Sequence, residues 1–311
     1  MSTILGEMNV LTLFVSVLTV LAITLIFKTS TTTNFSHTTL ATFGCYLVAK
    51  IWYESDKVIP MWAALLIGFV VCVVIGIFID VGIFRRARHV NPVGKQIITM
   101  GFTYVLLSII VIAVQVREDT GVIIQLNPAT VLIPTVRDTI PYGVNFGDFY
   151  YSWNTILCAG IAIALIAALF VAIYKTKWGL GVRMTASNET TAQMMGVNTH
   201  VITAASWAIA AGLGCLACVF INNAQGKLST SIMTSIQISA FLGCIVGGFN
   251  TFWGPVAAAG IMWVIKILVQ AFSAYVFNLG TWVDVIVYGI AMILVLIRPT
   301  GLFGKGVRKK V

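Results

Sequence analysis

Apolar residues come in long, nearly unbroken blocks, with short polar connectors between them. Val10 to Phe27 is the first such block, and Ser and Thr are its only polar residues. Crossing a hydrocarbon core takes roughly 20 residues as a helix, and blocks without two-residue alternation read as helices apolar on every side. The pattern predicts helices at 8–27, 36–53, 61–84, 96–116, 153–174, 200–221, 234–249, 253–277 and 282–297. The segments 36–53 and 234–249 are the least apolar or shortest, and each also fits a re-entrant or broken helix. The fold expected is an all-α polytopic membrane protein, a single domain over 1–311 with about eight to ten transmembrane helices.

Composition strengthens this reading. The chain is 59% hydrophobic and 9% charged over 311 residues, and its mean hydropathy is +0.98. In water such a chain would expose large apolar patches; in lipid each span satisfies its backbone internally as a helix. The first block has neither a basic stretch before it nor a small-residue cleavage pattern after it, so it is expected to be retained. Cys45, Cys72, Cys158, Cys215, Cys218 and Cys244 all fall inside apolar segments, with no His or Asp close by to complete a metal set. They are expected to be small core residues.

A net charge of +9 would suggest nucleic acid in a soluble protein, but its distribution points elsewhere. Arg85, Arg86, Arg88 and Lys95 crowd one loop; Lys175, Lys177 and Arg183 face only Glu189 in another; Arg298, Lys305, Arg308, Lys309 and Lys310 fill the tail. The connection 117–152 carries mixed charge and Pro128, Pro134 and Pro141. Basic loops stay cytoplasmic. Alternating across nine spans puts all three basic regions inside, with the N-terminus outside, an outer loop at 117–152, a cytoplasmic loop at 175–199 and a cytoplasmic tail at 298–311.

No catalytic constellation is present. His37, His89 and His200 are far apart in sequence, and "GLFGKG" lacks both the spacing and the preceding strand of a phosphate loop. Seven Ser, Thr and Asn residues lie between Thr29 and Ser36. They fit either a cytoplasmic turn with hydroxyls capping helix ends, or a polar path at membrane depth. Asp80 sits about one turn from Arg85, so an ion pair is expected at the inner surface. Lys266 falls near the middle of its block and either faces a polar path or reaches water along its stem. Asp284 opens the last helix, where the dipole favours a carboxylate. Gly243, Gly247, Gly248 and Gly254 lie beside Phe249 and Trp253, which predicts a tight turn between closely packed helices.

The stretch "RMTASNETTAQMMGVN" is polar in an apolar chain. Asn188 suits an N-cap, Glu189 the positive start of a helix and Gly196 a left-handed stop, which predicts a two-turn helix over 189–195. Ala192 and Met195 fall on one face with Met194 beside them, so a small, soft apolar surface is expected on the cytoplasmic side. So short a helix is marginal in water. Either its own bundle or a partner must hold it.

The residues also resemble a known family. "GVRMTASNETTAQMMGV" is similar to the cytoplasmic coupling loop of ABC importer permeases of the branched-chain amino acid type, with Gly179, Arg183, Ala186, Asn188, Ala192, Met195 and Gly196 at matching positions; Met184 replaces a usual Ala, and Glu189 stands one place early. "TLIFKTSTTTNFSHTTLATFGCYL" retains Asn34, Phe35, His37, Gly44 and Tyr46 of a second family segment, although Lys28 and the Thr run replace Gly and small apolar residues. "SAFLGCIVGGFNTFWGPVAAAG" and "LVLIRPTGLFGKG" match two more, in order. The N-F-x-H signature is that of the H-type subunit.

The resemblance implies a bundle like the vitamin B12 and ribose permeases, in the bacterial cytoplasmic membrane. A second permease subunit, two ABC ATPases and an extracytoplasmic binding protein are implied as partners, with ATP and Mg held by the ATPases and no cofactor, metal or nucleic acid on this chain. Branched-chain or related small amino acids and amides are the implied cargo. The segment Gly179 to Gly196, Glu189 included, is the implied ATPase-coupling element; Asn34, Ser36, His37 and Lys266 are candidates for the path. A ribose- or nucleoside-type importer and an ion-driven carrier or channel are the alternatives.

Overall fold

The computed structural model describes residues 7–55, 58–87, 89–118, 143–146, 149–225, 228, 230–276 and 282–304. The three prolines of the outer loop, Arg88 and the tail lysines and arginine after Gly304 lie outside these residues. Helices stand at all nine expected places: α1 (Glu7–Ser30), α2 (His37–Glu54), α3 (Met61–Phe78, continuing as a π-helix over Ile79–Phe84), α4 (Pro92–Glu118), α5 (Trp153–Lys175), α8 (Thr199–Gln225), α9 (Thr230–Gly247), α10 (Trp253–Val276) and α11 (Val283–Ile297). Two short helices, α6 (Lys177–Ser187) and α7 (Glu189–Met194), join α5 to α8. A departure from purely helical structure is the hairpin β1 (Gly143–Phe146) and β2 (Phe149–Ser152), with Gly143 opposite Ser152. Among the described residues, six helices are long and apolar enough to cross a membrane, while α9 and α11 are shorter apolar helices.

Two helices form the centre. In α1, 67% of the spanning stretch is buried, and in α8 78%, against 17–28% for α3, α4, α5 and α10. Sequence explains the difference. The α8 segment "TAASWAIAAGLGCLACVF" is mostly Ala, Gly, Ser and Cys, small residues that let neighbours approach closely where lipid removes any hydrophobic drive between helices. The outer helices turn Val, Ile, Leu and Phe outward, as at Val70, Val74, Ile112 and Val171. Buried hydroxyls within the central helices bond back to their own carbonyls, Thr19 Oγ1 to Val15 O at 2.9 Å and Ser206 Oγ to Ile202 O at 2.8 Å, so these groups are satisfied within their own helix. All six cysteines are buried outside any disulfide, packed as core residues.

The described residues of the basic regions share one end of the bundle. Trp207 Nε1 donates to Ser30 Oγ at 3.0 Å, an Arg85 Nη donates to His200 O at 3.1 Å, Lys28 Nζ to Asn250 O at 2.6 Å, and Leu302 N to Val246 O at 2.7 Å. These contacts tie the end of α1 to α3, α8, the α9–α10 turn and the tail.

That last contact joins two sequence features that looked separate. The turn after α9 and the tail "RPTGLFG" pack backbone to backbone. A side chain at Gly247 would meet Pro255 Cα at 2.5 Å, Gly248 has φ +82°, and a Cβ there would lie 2.7 Å from Thr300 O. Gly301, φ +83°, lies against Gly248, and Gly254 against the Gly247 carbonyl. Gly243 differs from this group. Its nearest neighbour would be at 3.5 Å, ordinary contact, so it is not part of the close approach.

Candidate functional site

The first candidate region is the turn between α1 and α2. Asn34 Oδ1 accepts from Ser36 N at 2.9 Å and Ser36 Oγ at 2.7 Å, and Ser36 O accepts the first helical bond, from Leu40 N at 2.8 Å. Asn34 and Ser36 therefore build the start of α2, through a carboxamide rather than the threonine hydroxyls of the capping reading. His37 is different. It is 1% exposed, and neither ring nitrogen has a hydrogen-bond partner. Its Cε1 faces Gly214 of α8, where an added Cβ would lie 2.9 Å away. An orphaned buried polar group costs about 1–3 kcal/mol and calls for a functional or water-mediated explanation.

Gln237 of α9, which the sequence did not single out, locks this turn. Its Oε1 accepts from Thr38 Oγ1, and its Nε2 donates to Phe35 O at 2.8 Å. Phe35 N in turn donates to Thr99 Oγ1 of α4 at 3.1 Å, and the Phe35 ring packs 5.1 Å from that of Phe241. Beside these groups opens a mainly apolar cavity of about 220 Å³, lined by Phe35, Met100, Thr103, Tyr104, Gln237 and Phe241 among others. The glutamine within the weakly apolar segment 234–249 was the sequence signal that could have pointed to this contact.

Lys28 and Lys266 lie elsewhere. Lys28 reaches the Asn250 carbonyl and sits 5.6 Å from the centre of the Phe252 ring, so it fastens α1 to the α9–α10 turn. Lys266 Nζ pairs with Asp284 Oδ1 at 2.8 Å across α10 and α11. The middle of one block is thus level with the start of the shorter helix, and the two charges that the sequence treated separately satisfy each other. Lys266 is not brought to the His37 turn. Both lie in apolar membrane helices rather than in water, so removing one charge should destabilise the protein more than removing both, and a double-mutant cycle of Lys266→Met and Asp284→Asn should show a favourable coupling. The KM for uptake should not change; a rise in KM for Lys266→Met alone would restore this residue to the path.

The second region lies at the basic end. Thr176 Oγ1 caps α6 by accepting from Gly179 N at 3.1 Å, and Gly179 packs against the carbonyls of Ala172 and Ile173. Arg183 lies over the Tyr174 ring at 5.6 Å, with Ala186 half-buried on the same helix. Asn188 Oδ1 accepts from Thr191 N at 3.0 Å and opens α7. The helix stops where Val197 N donates to Ala192 O and Gly196 N to Gln193 O, both at 3.0 Å, around Gly196 with φ +82°. This is a Schellman close. The helix runs to Met194, one residue short of the expected end.

The apolar face of α7 requires a correction. Ala192 is 1% exposed and packs on the chain's own bundle, so it is not presented outward. Met194 and Met195 are 80% and 71% exposed. Gln193 Nε2 donates to Thr199 Oγ1 at 2.8 Å and holds the helix from the same side as Ala192. The bundle carries one face, and two methionines stand free on the other. Periodicity placed Ala192 with Met195, but the bundle covers the small side chain at Ala192 and leaves Met195 exposed.

Asp80 is buried within the π-segment, where Arg85 N bonds back to Asp80 O at 3.0 Å. The expected pair forms, with Arg85 Nε 3.7 Å from Asp80 Oδ2, and Thr203 Oγ1 donates to the same oxygen at 3.2 Å.

A helical bundle with six helices long and apolar enough to cross a membrane, small residues at its centre and a buried polar turn is the architecture of a multi-pass membrane protein. Residues 8–296 match the family described as branched-chain amino acid transport system / permease component, and the chain belongs to it. It is 24% identical over 290 residues to the high-affinity branched-chain amino acid transport system permease protein BraD of Pseudomonas aeruginosa, covering 89% of this chain and 88% of that one. It is also 24% identical over 293 residues to a probable branched-chain amino acid transport permease protein LivH of Methanocaldococcus jannaschii, covering 93% and 88%. The Escherichia coli LivH protein is 21% identical over 286 residues, covering 89% and 87%. No solved structure gives a significant match.

Proposed function

We propose that this chain is a permease subunit of an ABC importer in the bacterial cytoplasmic membrane, carrying branched-chain or related small amino acids. Separate ATPase subunits, a second permease subunit and an extracytoplasmic binding protein complete the transporter, and ATP with Mg binds on the ATPases. The observation that carries the reading is α7: clamped to the bundle through Ala192 and Gln193, capped at both ends, and offering Met194 and Met195 outward at the basic end. Force passes between subunits only through packed groups. A short rigid helix with soft apolar side chains suits a moving partner surface.

The route for substrate runs beside the His37 turn. The apolar cavity at Phe35 and Phe241 suits a branched aliphatic side chain, and Thr103, Tyr104, Thr234 and Gln237 on its wall supply the few polar groups that orient a ligand. Closure of the ATPases pushes α7, and with it the start of α8, which carries Gly214 against His37. One experiment tests the whole reading. The permease should copurify with its neighbouring ATPases, and leucine-loaded binding protein should stimulate ATP hydrolysis in lipid. Uptake that persists after ATP depletion with the ion gradient intact would instead establish a carrier.

A further inference from the structure

At the basic end a second cavity of about 220 Å³ opens among the ends of five elements. Thr29, Ser30 and Thr31 come from the end of α1, Asp80 and Arg85 from the π-segment, Lys95 from α4, Glu189 from α7, and His200 and Thr203 from α8. Polar groups of both signs converge here, the opposite of the apolar cavity at Phe35. It is smaller than the ~300–1,000 Å³ of drug-sized sites, a size suited to a single small metabolite.

Its charges are incompletely matched within the protein. Asp80 and Arg85 lean on each other, but among the described residues no ion pair forms at Lys95 or Glu189. Arg85 Nε is buried and makes no hydrogen bond. Thr31 holds φ +50° at the rim, a left-handed conformation uncommon for a residue other than glycine. The π-segment, a geometry that recurs at functional sites, turns Asp80 inward. A lone anion would meet two carboxylates, and a lone cation would meet two basic groups. A molecule bearing an ammonium and a carboxylate would satisfy both.

We propose that this cavity is a second amino-acid site, open to the cytoplasm, that binds the zwitterion of the transported product. Arg85 and Lys95 receive the carboxylate, Asp80 and Glu189 the ammonium, and the threonine hydroxyls fill the remaining bonds. Because Glu189 belongs to α7, an occupied site fastens that helix to the ends of α1, α3, α4 and α8 and slows the cycle when product accumulates. The proposal rests on the amino-acid reading above for the identity of its ligand, and its test separates the two.

In the assembled transporter, a Thr203→Cys variant gains a reactive thiol in the cavity, while the native cysteines are buried. A membrane-impermeant thiol reagent applied from the cytoplasmic face should label it, and millimolar leucine should slow labelling several-fold. Leucine amide and isocaproate, each lacking one charge, should protect about tenfold less well. Adding Lys95→Gln should remove the protection. In parallel, leucine trapped on the cytoplasmic side of vesicles should lower the initial uptake rate of wild type, each variant being compared with its own rate into empty vesicles. No protection by leucine, or equal protection by sulfate, overturns the site whatever the uptake result. Protection without any ATP-driven uptake keeps the site and overturns the importer reading.

Discussion

Replacing both Met194 and Met195 with glutamate is expected to bring ATP-driven uptake down to background while leaving the permease folded in the membrane. The two side chains are 80% and 71% exposed and support nothing inside the bundle, so the isolated permease should melt within a degree or two of wild type. In the contact proposed with the ATPases they are the anchor residues. Loss of such an anchor typically costs about 2–4 kcal/mol, or roughly 30–1,000-fold in affinity, and two carboxylates forced into an apolar contact add a desolvation penalty. Copurification of the ATPases should fail in proportion. Uptake at the wild-type rate by this double variant would remove α7 from the coupling role. Ala192→Arg would be a poorer test, since a cation forced into a site 1% exposed would dislodge α7 whatever its role.

The second large effect is on stability. Gly247→Val is expected to prevent accumulation of the folded protein, because its first carbon would lie 2.5 Å from Pro255 Cα and 2.6 Å from Gly254 C. These are backbone atoms and cannot rotate away. Overpacking of a close contact costs about 1–3 kcal/mol or more, a large share of the ~5–15 kcal/mol that separates folded from unfolded states. Gly243→Ala is the matched control. Its nearest contact is at 3.5 Å, so its melting temperature in detergent should stay near that of wild type. If the two variants behave alike, the packing of turn against tail is not what secures this end.

Much of the architecture was legible because lipid enforces a simple rule: each long apolar block must close its own hydrogen bonds as a helix. The boundaries of α2 and α5 fall within one residue of those read from the chain. The coupling segment was legible for a local reason too. Asn188 and Gly196 act on their own neighbours within three or four residues, and such caps do not depend on the rest of the fold. The π-turn at Ile79–Phe84 left no comparable mark, since one extra residue in a helix alters neither composition nor hydropathy.

The sequence by itself determined the class of protein, the places of the helices, the short helix after Asn188 and, through four ordered motifs, the family. Tertiary structure alone decided which residues meet. It joined Lys266 to Asp284, docked the tail glycine Gly301 on Gly248, buried Ala192 while leaving Met194 and Met195 free, and set Gln237 on the turn before His37. The reason is physical. Helix formation in a membrane is settled within a segment, whereas the partner of a polar or charged group can lie 222 residues away, as Asn250 does from Lys28, and is chosen only when the helices pack.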